Sequence, residues 1–302
     1  MSVWVCGEAL VDVLPEGVVV GGGPANTAKA LARLGRSVEF IGGISTDHYG
    51  DQIAQELRSV KVGLNLSHFS EEPTATAQVT LDEKGGASYL FTIDKTATFD
   101  FKADWLPDPS HSKIEALHIG TLATIVEPGS TSLFEWAIKV AEFAPVIFDP
   151  NVRTAYLADR PRYVASVEKW ISISTLVKAS DDDLAWLYPD LEIAEVAKRW
   201  IHAGVEIVVI TRGSKGLMAV TANEVIEVPS VLVAVVDTVG AGDTVGAVMV
   251  DAILEHGILN LRGDLLRNTL NCAALAAAIT CSRAGAEPPT KSEIEAKEKN
   301  RA

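Results

Sequence analysis

The sequence is short of aromatic residues, of cysteine, of long apolar runs and of positive charge, and each shortage excludes something. Aromatic residues make up 6% of the 302 positions, so Val, Ala, Leu and Ile must fill the core, and the 48% hydrophobic content is ample for one. The three cysteines, Cys6, Cys272 and Cys281, are an odd number without metal-ligand spacing. That excludes a disulfide framework and reads as buried, reduced thiols. No apolar stretch reaches spanning length, and the N-terminal Met-Ser-Val-Trp-Val-Cys has no basic segment, which suggests a cytoplasmic protein with no membrane partner. Against 40 acidic residues stand 26 Lys and Arg, a net charge of −14, which speaks against nucleic acid or an anionic membrane as a partner. A phosphorylated small molecule needs only a local positive cradle. The six histidines, His118 among them, lack ligand spacing and read as satisfied structural residues.

Such a cradle is encoded at 237–244, Asp-Thr-Val-Gly-Ala-Gly-Asp-Thr. An apolar, β-branched run at 231–236 precedes it and an apolar stretch to 254 follows, so the pattern predicts strand, glycine turn, helix. Gly240, Ala241 and Gly242 let a ligand approach the backbone, and the first N–H groups of a helix attract anions. Asp243 has two readings, a helix N-cap or an acceptor for the proton of an attacking hydroxyl. The octet alone leaves both open.

A buried first strand at 3–6 leads to Asp12, read as lying just past a strand end where open α/β sheets bind ligands; a solvated loop acid is the alternative. Gly21, Gly22, Gly23 and Pro24 open a helix that Gly35 stops. Asn26 stands where a dinucleotide fingerprint needs glycine, which rejects that motif; its amide suits a polyol hydroxyl or a helix cap. Residues 37–44 read as one strand and 47–60 as a helix. Strands at 74–81 and 87–93 form a β-hairpin about the turn 82–86, which can be a flap over a ligand, a plain edge or a dimer contact.

Short apolar strands at 114–119, 146–148, 174–177 and 207–210 are mostly separated by helices such as 130–143 and 193–203. This alternation predicts an α/β fold, a doubly wound, mostly parallel sheet with helices on both faces. The loops after its strands share one rim, where the polar runs 149–153, 178–183 and 211–216 can meet Asp12 and the octet. Each run has a plainer reading: an Asp149–Arg153 ion pair, a dipole-favoured helix start at Asp181, Asp182 and Asp183, and a turn feeding a hairpin of 217–221 and 224–228. A helix at 265–281 and a charged helical tail from Lys291 complete the chain.

The glycine-rich segment 21–35, with 41–50 behind it, and the octet 237–244 occur in this order near the two ends. In them the chain resembles the PfkB, or ribokinase-like, family of carbohydrate kinases, and the likeness covers nearly its whole length. The resemblance implies one domain over 1–302, with a small β lid near 10–22 and 73–98 that often serves for homodimerisation. It also implies phosphate transfer from ATP, with Mg²⁺, to a sugar hydroxymethyl group. By motif position, Asp243 is implied as the base and Gly240, Ala241 and Gly242 as the anion hole. Asp12, Gly22, Gly23 and Asn26 match sugar-binding positions, and Arg153 is assigned to the sugar or the transferred phosphate. Ser180, Thr211, Gly213 and Gly216 fall on the nucleotide side. Ser180 and Asp183 replace the family's Asn-x-x-Glu, and the shorter Asp183 carboxylate can hold Mg²⁺ through water. Asp237 and the Val239 carbonyl, with carbonyls near Gly285, match a region that binds a monovalent cation, K⁺ for example, in many members. An adenine-side Asn of many members falls at Ala274.

Segments 4–12, 149–153 and 279–286 look most like bacterial fructokinases, and His118-Ile-Gly120 stands where ribokinases carry Gln-x-Glu. The expected partners are therefore ATP and D-fructose, giving fructose 6-phosphate. A kinase for ribose, 2-keto-3-deoxygluconate or a nucleoside, and a non-catalytic sugar-binding sensor, are the alternatives.

Overall fold

The computed structural model describes residues 1–15, 17–81 and 87–299. Strand β1 (Ser2–Cys6) enters the main sheet, and the chain then leaves it for the hairpin β2 (Leu10–Leu14) and β3 (Gly17–Gly21). Helix α1 (Gly23–Arg33) returns it to β4 (Val38–Ile41), followed by β5 (Gly43–Ser45), α2 (His48–Ser59), β6 (His68–Ser70) and the hairpin β7 (Thr76–Leu81) and β8 (Ala87–Thr92). Next come β9 (Ile114–Gly120), α3 (Gly129–Ala141), β10 (Val146–Asp149), α4 (Arg160–Ile171), β11 (Leu176–Ser180), α5 (Asp181–Leu187), α6 (Ile193–His202) and β12 (Ile207–Thr211). The hairpin β13 (Leu217–Val220) and β14 (Val225–Val228) precedes α7 (Ala241–His256), α8 (Gly263–Cys281) and α9 (Lys291–Lys299).

Eight strands make the main sheet, in the order β14-β13-β12-β11-β10-β9-β1-β4. All neighbours from β4 to β12 are parallel, and β13 and β14 close one edge antiparallel. Because both faces are covered, strand residues of either parity are apolar. Val3, Val5, Ile147, Leu176 and Val209 join a core with α1, α2, α7 and α8. Trp4, Cys6, Phe148, Val177 and Ile210 join the opposite core with α3, α4, α5 and α6, where Trp4 stacks on Trp136 at 6.0 Å. This is the expected doubly wound α/β architecture. The chain passes from β1 to β4 on one side and to β9 on the other, so the loops after β1 and β9 part at a switch point. Open α/β sheets bind ligands in that crevice.

A second sheet, β3-β2-β7-β8, is formed by the segments expected near 10–22 and 73–98; the turn 82–86 lies outside the described residues.

Several local expectations are overturned. Segment 37–44 is not one strand: at Gly42 and Gly43 the chain leaves the main sheet, and β5 pairs with β6. Asp12 is not past a strand end but in the middle of β2, paired across to Val19. Segment 231–236 forms no strand despite its β-branched residues, since no neighbouring strand is available to it. It runs over the surface with Leu232 94% exposed, and the Val236 and Asp237 N–H groups donate to the Cys281 carbonyl. The strand expected at 174–177 begins and ends later, at Leu176 and Ser180, which places Lys178 inside the sheet. Cys272 and Cys281 are partly exposed, and only Cys6 is fully buried.

Gly43 shows how closely the small sheet is packed: a Cβ there would lie 1.7 Å from the Ala97 carbonyl oxygen. The replacement Gly43→Ala is expected to cost about 1–3 kcal/mol by overpacking, read as a lower urea midpoint with an unchanged slope.

Candidate active site

Asp243 sits in the first turn of α7, whose N-cap is Gly240 in the left-handed conformation (φ 78°), so the helix-cap reading of Asp243 does not hold. Helix α7 is buried almost all round between α1, α8 and the sheet, and Asp243 is 7% exposed. Its Oδ2 accepts a hydrogen bond from Asn26 Nδ2 at 3.0 Å. Asn26 is therefore not a cap either: it lies inside α1, and it joins two glycine-rich segments 217 residues apart. Burial raises the Asp243 carboxyl above the ordinary aspartate range, while Lys178, Asn26 and Arg153 oppose the rise.

The turn before Asp243 is suited to an anion. Among the described residues, the N–H groups of Gly240, Gly242 and Asp243 have no protein acceptor, and that of Ala241 donates to Thr238 at 3.3 Å. Free N–H groups at a helix start attract negative charge. A Cβ on Gly242 would lie 3.1 Å from Lys178 Nζ, so a cation stands beside the turn. Lys178 is paired with Asp149 Oδ2 at 2.7 Å, the two side chains 5% and 3% exposed. Burial alone would lower Lys178, but Asp149, Asp243 and Asp183 outweigh it and hold the ammonium above its ordinary value. Burial pushes Asp149 up to about 6.

The plainer reading of 149–153, an Asp149–Arg153 ion pair, does not hold, because Lys178 projects from the adjacent strand and takes Asp149. Arg153 Nη1 donates instead to Asn151 Oδ1 at 2.7 Å. Its charge bears on Asp243, on Asp12 and on Glu8, a buried acid that burial raises to about 7 and whose Oε2 accepts the Ala123 N–H. Asp12 lies under the second sheet's glycines, since a Cβ on Gly21 would meet its Oδ2 at 2.5 Å. Gly22, the N-cap of α1, runs so close to the Glu8 carbonyl that a Cβ would lie 2.5 Å from it. A Cβ on Gly23 would face Thr121 Oγ1, Asn151 Nδ2 and Asp243 Oδ1. His118 is not a satisfied histidine: it is buried, neither ring nitrogen has a partner among the described residues, and burial lowers it to about 3.

Asp243, Asn26 and Gly23 thus meet at one point, and the charge of Arg153 acts on both Asp243 and Asp12. The remaining residues line the rim further along. Ser180 and Thr211 are register partners at the ends of β11 and β12. Ser180 caps α5: its Oγ accepts the Asp183 N–H, and Asp183 Oδ2 accepts the Ser180 N–H. Asp183 Oδ1 accepts the Val152 N–H at 2.8 Å. Gly213 (φ 50°) is open, whereas Gly216 packs on the Val228 carbonyl. Asp237 ties two segments together, its Oδ1 accepting the Val239 N–H and its Oδ2 the Gly285 N–H.

Sequence reasoning left Lys178, Glu8, Thr121 and Asn151 without roles. Lys178 is a lone charge within an apolar strand only once β11 is seen to run from Leu176 to Ser180; nothing in the sequence marks Thr121.

A family model described as "pfkB family carbohydrate kinase" matches residues 15–293. A fructokinase of Rhizobium leguminosarum bv. trifolii is 33% identical over 266 residues, 85% of this chain and 81% of that one. The structure of a Xylella fastidiosa fructokinase with bound ATP superposes with a TM-score of 0.92 at 25% identity, covering 99% of this chain and 98% of the other. A double-mutant fructokinase of Vibrio cholerae O395, in a form with fructose, ADP and potassium ion bound, gives 0.87 at 27% identity and 98% coverage of both chains.

Breaking the Lys178–Asp149 pair from one side leaves a bare buried charge. Lys178→Met should cost about 3–5 kcal/mol, and the double variant with Asp149→Asn should regain most of it. Urea unfolding of the four proteins in the cycle checks this.

Proposed function

From the premise that the chain belongs to the pfkB family of carbohydrate kinases and is a sugar kinase, we propose that it transfers the γ-phosphoryl group of ATP to the 6-hydroxyl of D-fructose, giving fructose 6-phosphate. The observation that carries the mechanism is the 3.0 Å bond from Asn26 to the buried Asp243 carboxylate. It aims a base into the crevice between α1 and α7. In a loose transition state the hydroxyl loses its proton late, so ionised Asp243 orients the hydroxyl first and accepts the proton afterwards. The phosphoryl oxygens are received by the turn at Gly240, Ala241 and Gly242, and Lys178 adds a fixed cation at its side.

Asp12, Gly22, Gly23, Asn26 and Arg153 hold the sugar, and the second sheet closes over it as a lid. ATP lies along the rim past Ser180, Thr211, Gly213 and Gly216. The exposed apolar residues Leu232, Val235 and Val236 give its base a surface. Mg²⁺ suits Asp183 only through water: each Asp183 oxygen already accepts a backbone N–H but keeps a lone pair. Among the described residues no three His, Cys, Asp or Glu form a ready-made metal cluster. When bound, the ion would neutralise phosphate charge. With Asp237 spent on backbone N–H groups, a K⁺ ion there would rest on carbonyls such as that of Val239. Val18, Val19 and Leu90, exposed on the second sheet, support a homodimer formed through the lid.

Asp243→Asn should abolish ADP formation with fructose while the melting temperature holds; near-normal turnover in that variant would remove the base from the mechanism. Because Asp243 is raised, kcat/KM should begin to fall on the acid side at a pH above the ordinary aspartate range of about 4, tenfold per unit below its pKa. Compared by kcat/KM, fructose should exceed ribose, 2-keto-3-deoxygluconate and adenosine, and a different order would reassign the acceptor.

A further inference from the structure

Two residues next to Asp243 hold left-handed backbone, which asparagine tolerates and threonine avoids. Thr121 has φ 60° and Asn151 φ 36°. Left-handed backbone is uncommon outside glycine and a genuine outlier for a β-branched residue such as threonine. Strain of this kind persists only where the surroundings impose it, and it gathers at functional sites.

The surroundings do impose it. Thr124 Oγ1 donates to the Thr121 carbonyl at 2.7 Å, and the Ala123 N–H donates to the buried Glu8 at 3.1 Å. On the other loop, the Val152 N–H donates to Asp183 at 2.8 Å and the Arg153 N–H to the Tyr163 hydroxyl at 2.9 Å. Three bonds from outside and one within the first turn hold two turns at the ends of β9 and β10, the strands at and next to the switch point.

Both side chains are aimed at the same place. A Cβ on Gly23 would lie 2.8 Å from Thr121 Oγ1, 3.1 Å from Asn151 Nδ2 and 3.4 Å from Asp243 Oδ1. Only the missing side chain of Gly23 keeps that spot open. Asn151 Oδ1 is taken by Arg153, which turns the Nδ2 donor toward the spot. Neither Thr121 Oγ1 nor Asn151 Nδ2 has a protein partner among the described residues, although Thr121 is only 3% exposed. A hydroxyl that can donate and accept, and an amide that can donate, thus stand beside the base with nothing of the protein to bond.

We infer that Thr121 and Asn151 are substrate-contacting residues that bind hydroxyl groups of the sugar adjoining the one Asp243 activates, and so select among sugars. The inference rests on the sugar-kinase reading of Asp243. A site built to hydrogen-bond a hydroxyl discriminates steeply against analogues lacking it, because its own polar groups are then left unpaired.

The test uses Thr121→Val, Thr121→Ser, Thr121→Gly, Asn151→Gly and Asp243→Asn. Each is assayed with D-fructose and with its 1-, 3- and 4-deoxy analogues, and its melting temperature is recorded. Thr121→Val should lower kcat/KM for fructose 10- to 100-fold, and Thr121→Ser should restore most of it. For one deoxy analogue the wild-type enzyme should lose as much, and Thr121→Val should then lose nothing more, a non-additivity that a purely structural residue would not produce. The two glycine variants relieve the backbone and should keep or raise the melting temperature while losing the same activity, which separates contact from folding. If all Thr121 and Asn151 variants stay within threefold of wild type on every sugar while Asp243→Asn is inactive, this inference is overturned and the kinase reading stands. A wild-type enzyme that phosphorylates no sugar overturns both.

Discussion

The ammonium of Lys178 is the charge on which the centre of this molecule depends. In a chain with 14 surplus negative charges, Asp149, Asp183 and Asp243 are brought together under the end of one sheet, each buried. Burial raises Asp149 and Asp243 above the ordinary aspartate range, and the neighbouring carboxylates add to the rise at Asp149. Lys178 answers both, pairing with Asp149 directly and acting on Asp243 across the turn at Gly242. Its own charge is kept by the same three acids. Arg153, a further cation nearby, spreads its influence over Asp12, Glu8 and Asp243 from the next loop. The arrangement is a mutual one: Asp149 and Asp243 hold Lys178 charged, and Lys178 limits the rise of both acids.

That balance is possible because parallel strands end on a common edge. β9, β10, β11 and β12 deliver Thr121, Asn151, Lys178, Ser180 and Thr211 to one rim, and α1 and α7 approach it from one side with their glycine-rich starts. The helices meet through Asn26 and Asp243, so the two ends of the chain are joined at the very point where chemistry is expected. Helix α7 must be apolar on nearly all sides to lie there, and it retains the polar pair Thr244 and Thr280, bonded to each other at 3.0 Å, where it meets α8.

Much of this was legible in the residues. Glycine turns and helix starts are local chemistry, so Gly22, Gly23, Gly240 and Gly242 announce themselves, and alternation of apolar runs with helical segments carries the doubly wound sheet. What escaped reading depends on pairing. The run 231–236 has the composition of a strand, but a strand exists only where a neighbour accepts its hydrogen bonds, and none does. Asp12 was placed on the wrong element because a hairpin that leaves the sheet looks, residue by residue, like a loop. A shift of a few residues in β11 hid Lys178 among loop residues. Thr121 could not be found at all, since nothing in its identity signals a left-handed backbone.

Asp237 has a consequence for the architecture as a whole. Its carboxylate fastens Val239 to Gly285, residues on either side of two long helices, and Gly240 packs directly on Ala286. The turn at the start of α7 therefore keeps its shape only while the strand-less segment after α8 lies against it. The last stretch of the chain is thus a buttress and not an appendage. A break in the backbone, an insertion or a fused partner would be borne far better at the open edge by β14 than between Cys281 and Ala286, where it would unseat a turn more than forty residues upstream.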